Sequence, residues 1–85
     1  MKTFEYVITV PGGLDVKPAG QLNRAIREYK SDIVIQKGEK SAKLKMLLAV
    51  MQLGIRCGET VKVTVEGEDE AIAASALEEF FKTNL

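Results

Sequence analysis

The sequence predicts an α+β fold: a four-stranded antiparallel sheet with three helices on one face, in the order β-α-β-β-α-β-α. Three observations predict it. The runs Thr3–Val10 and Thr60–Glu66 alternate apolar and polar residues, the period of a strand with one covered and one solvated face. Residues 16–29, 46–53 and 69–82 carry apolar residues at helical spacing. Two short strand-like runs, Asp32–Lys37 and Lys40–Lys43, flank a Gly38-Glu39 turn and read as a hairpin. Laying every helical stripe on the same side of the sheet buries all of them at once. The 85 residues are read as one domain, 1–85, which at this size buries roughly 60–65% of the unfolded chain's surface.

Taken in order, Thr3–Val10 places Phe4, Tyr6, Ile8 and Val10 on one face and Glu5, Val7 and Thr9 on the other. Pro11, Gly12 and Gly13 then form a turn, and Leu14 is a lone apolar anchor. Asp15 stands at the helix N-cap, and Pro18 is tolerated in the first turn because the first N–H groups have no intrahelical partners. Leu22, Ala25, Ile26 and Tyr29 form the inner stripe of this helix, with Asn23, Arg24, Arg27 and Glu28 outside. The short helix over 46–53 is rich in Leu and Met and ends at Gly54, the expected glycine after a C-cap; Leu47, Val50 and Met51 fall at helical spacing to cover the sheet, which leaves Met46 and Leu48 as surplus apolar residues facing outward. In Thr60–Glu66, Val61, Val63 and Val65 point inward. The last helix runs from Asp69 to Lys82. Its acidic opening (Glu68, Asp69, Glu70) suits the helix dipole, and its stripe is Ile72, Ala73, Ala76, Leu77, Phe80 and Phe81.

Twelve basic and twelve acidic residues cancel, but unevenly along the chain. Residues 17–45 hold eight Lys or Arg against three acids, whereas residues 46–85 hold three against seven. This polarity can steer a protein partner. The basic stretch carries a single aromatic, Tyr29, in its helix, so no nucleic-acid partner is expected. No apolar run approaches the ~20 residues of a membrane span, and the N-terminus lacks the layout of a signal peptide. No membrane association is expected. The lone Cys57 cannot form an internal disulfide, which fits a reducing, cytoplasmic setting. The sequence contains no histidine, which rules out a Cys–His pair and any histidine-based zinc site; no metal and no cofactor are expected.

Four motifs in order carry a family resemblance. They are Gly13-Leu14-Asp15-Val16-Lys17-Pro18-Ala19, Lys40-Ser41-Ala42, the short helix Leu47-Leu48-Ala49-Val50-Met51-Gln52-Leu53-Gly54, and Val63-Thr64-Val65-Glu66-Gly67-Glu68-Asp69-Glu70. Over its whole length the chain resembles HPr, the phosphocarrier of the bacterial phosphoenolpyruvate:sugar phosphotransferase system, in its Gram-positive form. The resemblance implies that family's open-faced β-sandwich, in agreement with the element order above.

The resemblance also implies what is altered. HPr accepts the phosphoryl group from enzyme I on a histidine at the position held here by Asp15, and the arginine that helps hold that group is here Lys17. A lysine is a point charge without the planar fork of guanidinium donors. The serine that a regulatory kinase phosphorylates in Gram-positive HPr is here Met46. Asp15 has three readings: a plain N-cap, a built-in anion where phosphate visits in HPr, or an acceptor forming an aspartyl phosphate. Lys17, Leu47, Leu48 and Met51 are the expected partner interface, by analogy with the surface on which HPr docks its partners. The expected function is that of a non-catalytic protein-binding or regulatory paralogue, not an enzyme, and the rival is a sugar-transport phosphocarrier working through Asp15. The implied partners are an enzyme I-like protein or a transcriptional or regulatory protein. The chain itself is expected to be a monomer or weak dimer.

Overall fold

Four strands form one antiparallel sheet with spatial order β1-β4-β2-β3, where β1 is Lys2–Val7, β2 Asp32–Lys37, β3 Lys40–Lys43 and β4 Thr60–Glu66. The computed structural model describes residues 1–85 and adds three helices, α1 (Val16–Ala25), α2 (Leu47–Gln52) and α3 (Glu70–Asn84). The predicted order and class are those observed. Strand β4 pairs with β1 on one side and β2 on the other, with Val63 opposite both Phe4 and Ile35. This register puts Ile33, Ile35, Val61, Val63 and Val65 on one face, where they share a single core with Leu22 of α1, Val50 of α2 and Ala73, Leu77 and Phe81 of α3. On the other face Thr3, Glu5, Lys62 and Gln36 meet solvent. The alternation read in β1 and β4 therefore assigned the sheet its covered side.

Strands β2, β3 and β4 keep the bounds read from the sequence, whereas β1 and the helices differ at their ends, β1 and α1 for hydrogen-bonding reasons. Strand β1 stops at Val7, three residues early, because the Thr9 and Val10 amides both donate to the Leu85 backbone oxygen (2.5 and 2.8 Å). Helix α1 stops at Ala25, short of residue 29. Its exit tightens into i→i−3 bonds from Arg27 to Arg24 and from Tyr29 to Ile26, and the Lys30 and Ser31 amides are then taken by the Asp69 carboxylate. Helix α3 begins one residue late and runs two residues beyond Lys82.

One predicted core residue is outside. Ile72 is 68% exposed and Ala74 is buried in its place. At ~100° per residue, a stripe made of residues 73, 74, 77 and 81 leaves position 72 nearly opposite its centre. In this orientation the Phe81 ring is fully buried and meets Phe4 and Tyr6 edge-on at centroid distances of 5.4 Å.

Candidate functional site

The Asp15 corner is built from the turn upward. The Gly13 amide donates to the Val10 carbonyl (3.0 Å), and Gly13 takes φ +70°, a left-handed conformation that favours glycine. A Cβ on Gly13 would stand 2.4 Å from the Ile55 carbonyl oxygen and 2.6 Å from Arg56 Cα. That close approach lets the Leu14 amide donate to the same Ile55 oxygen at 3.0 Å, while the Leu14 side chain is buried. With the residue before it pinned on both sides, Asp15 emerges on the surface as the N-cap of α1.

Its carboxylate turns back on its own helix. Oδ1 accepts from the Val16 amide at 2.8 Å. An N-cap oxygen ordinarily serves the second or third helical N–H. Here the third helical residue is Pro18, which has no N–H, and the Lys17 N–H makes no hydrogen bond. The exposed Lys17 ammonium is likewise unpaired. Asp15 and Lys17 share a shallow depression with Val10, Gly12, Gln21 and Asn84. Asn84, from the far end of the chain, was not anticipated; only the docking of α3 beside β1 brings it there.

The four expected interface residues do not behave alike. Lys17 lies in the depression, and Leu48 is 75% exposed. Leu47 and Met51 are half-buried and pack against the core beside the fully enclosed Val50. The apolar surface that α2 shows to solvent is therefore Leu48 together with its N-cap residue Met46, 59% exposed, rather than Leu47 and Met51. Helices α1 and α2 pack side by side, and around them Arg24 is free while Lys45 is committed to the Tyr29 carbonyl at 3.0 Å.

Two polar clusters escaped sequence reasoning. Ser31 is buried, and its hydroxyl donates to Asp69 Oδ1 at 2.5 Å. The same carboxylate accepts from the Ser31 amide (2.9 Å) and the Lys30 amide (2.8 Å), so it makes no cap bond to α3. These bonds, the Ser31 hydroxyl first, hold the Asp69 carboxyl below the usual aspartate range. A lowered folded-state pKa contributes stability that is present above the unfolded value and is lost as pH falls through the folded one. In urea titrations, acidification below about pH 4, the range of an unperturbed aspartate, is expected to destabilise the native chain more than Ser31→Ala. Equal acid slopes in the two would refute that assignment. The second cluster joins Lys37 to Glu59. In both, the partners are too distant in sequence for a local pattern to reveal them. Cys57 is exposed, 3.6 Å from the Thr9 carbonyl.

Three comparisons bear on this architecture. The family model described as PTS HPr component phosphorylation site matches residues 2–83. The phosphocarrier protein HPr of Lysinibacillus sphaericus is 39% identical over 77 residues, covering 91% of this chain and 88% of its own. Among solved structures, HPr-C-His of Thermoanaerobacter tengcongensis superposes with a TM-score of 0.94 at 30% identity, covering 99% of this chain and 94% of its own. The catabolite repression protein Crh of Bacillus subtilis, described as a dimer with a swapping domain, gives 0.78 at 25% identity over 89% and 87%.

Proposed function

This chain belongs to the HPr family of phosphotransferase-system phosphocarriers, and from that premise we propose that it acts as a protein-binding, regulatory member that does not carry phosphate on histidine. The observation that carries the proposal is chemical: the sequence has no histidine, and the exposed residue that opens α1, between Leu14 and the Lys17-Pro18-Ala19 run, is Asp15. Its carboxylate already accepts the Val16 amide and leaves a fixed negative charge beside Lys17. The docking surface is assigned to Lys17, Met46 and Leu48, with Leu47 and Met51 supporting it from below. An exposed Met beside an exposed Leu adapts well to a partner. The partner is an enzyme I-like or regulatory protein, met in the cytoplasm; no helix of the chain is long and apolar enough to cross a membrane. Crh supplies a related fold whose name places it in catabolite repression.

The rival chemistry is transfer of a phosphoryl group to the second Asp15 oxygen, which has no hydrogen-bond partner, to give an aspartyl phosphate. Incubation with enzyme I and labelled phosphoenolpyruvate, run on the native chain, Asp15→Ala and Asp15→His, separates the two. The expected result is no label on the native chain and on Asp15→Ala, with label appearing on Asp15→His. A hydroxylamine-sensitive label on the native chain that vanishes in Asp15→Ala would establish the rival instead.

A further inference from the structure

The loop between α2 and β4, residues 53–59, touches both parts of the candidate surface. At its start Leu53 is the C-cap of α2 and Gly54 follows it. At its centre it carries the Asp15 turn, through the Leu14 amide on the Ile55 oxygen and the close stacking of Gly13 on Ile55 and Arg56.

Two side chains from outside α1 and α2 hold this loop. Lys37, the last residue of β2, donates from Nζ to the Gly54 oxygen at 2.8 Å and the Leu53 oxygen at 3.3 Å, and pairs with Glu59 Oε1 at 3.1 Å. Its three ammonium protons thus have three acceptors. The same Glu59 oxygen accepts from the Arg56 amide at 2.6 Å. The ammonium therefore grips the front of the loop and, through Glu59, its centre, immediately beside the residue against which Gly13 rests. Both groups are only about one-third exposed, with side-chain exposures of 27% and 35%, and charge-assisted bonds of this kind are stronger than neutral ones. The Arg56 amide and the Lys37 ammonium also keep the Glu59 carboxyl below its usual range, in keeping with a committed acceptor.

We infer that Lys37 and Glu59 form a latch that couples the position of the Asp15 turn to the C-terminal end of α2. They are positioning residues, acting on the surface through the loop. The inference rests on loop geometry and stands apart from the identity of any partner.

Site-resolved amide hydrogen exchange tests it. The Leu14 amide reports on the contact with Ile55, and the Ala73 amide, bonded to the Asp69 carbonyl at 2.9 Å, reports on α3 away from the latch. Lys37→Met is expected to speed Leu14 exchange about tenfold more than Ala73 exchange, the scale of one lost charge-assisted hydrogen bond. Glu59→Gln should act in the same sense but less, and Lys37→Arg, which keeps donors and charge, should restore most of the protection. Parallel changes at Leu14 and Ala73, an unchanged Leu14, or failure of Lys37→Arg to rescue would each overturn the coupling. Global unfolding of Lys37→Met would do so too, since a local latch does not carry the whole fold.

Discussion

Replacing Gly13 with alanine is expected to destabilise the fold by about 2–4 kcal/mol, on the scale of left-handed backbone strain in a non-glycine residue compounded by a steric clash. Two separate penalties act there. The backbone sits at φ +70°, and the new methyl would stand 2.4 Å from the Ile55 oxygen and 2.6 Å from Arg56 Cα. Both obstacles are backbone atoms, so no side-chain rotation relieves them, and the loop carrying Ile55 must move. Gly12 is the internal control. It has φ +86° but open space around its missing side chain, so Gly12→Ala should cost only the conformational part, about 1 kcal/mol. Urea unfolding of the two variants side by side measures the close approach by difference. Equal costs would mean that the turn does not lean on the 53–59 loop, and the basis for placing Asp15 would fall with it.

Phe81→Ala should cost about 3–5 kcal/mol, the range for truncating a buried aromatic. Phe81 is fully buried and meets Phe4 and Tyr6 of β1 edge-on, contacts worth ~0.5–1.5 kcal/mol beyond area alone. The residue also anchors the end of α3: the Leu85 amide bonds back to the Phe81 carbonyl, while the Leu85 oxygen receives the Thr9 and Val10 amides. Loosening Phe81 should therefore also disturb the entrance to the Asp15 turn, seen as amide shift changes at Thr9 and Val10. The neighbouring Phe80 is only half-buried, and Phe80→Ala should cost clearly less. Should thermal unfolding rank Phe80→Ala as the more damaging change, α3 does not face the sheet through Phe81.

Much of the candidate site could be read from neighbouring residues. Asp15 as an N-cap followed from a glycine turn before it and Pro18 after it, because both are local backbone chemistry. The exposure of Met46 and Leu48 was legible as a surplus of apolar residues on a short helix. Helical spacing likewise turned Leu47, Val50 and Met51 toward the sheet, as observed; that this leaves Leu47 and Met51 little surface for docking depends on the rotation of α2 over β3 and α1, which spacing does not set. The same limit applies to Ile72: spacing counts apolar residues on a helix, whereas packing against the sheet decides its rotation, and the observed rotation buries Ala74 and exposes Ile72.

Residue spacing and identity alone set the element order, the faces that β1 and β4 bury, and the presence of a carboxylate rather than an imidazole at the head of α1. Each depends on the period of side chains along the backbone or on residue identity alone. Where β1 and α1 stop, and what steadies the site, is settled only by contacts across the fold. The Leu85 oxygen ends β1, Asp69 captures the amides beyond α1, and Lys37 and Glu59 hold the loop under Gly13. Those partners lie far apart in the chain, and a hydrogen bond between distant residues leaves no period to read. Its geometry depends on the packing of the apolar face, which holds both ends in place.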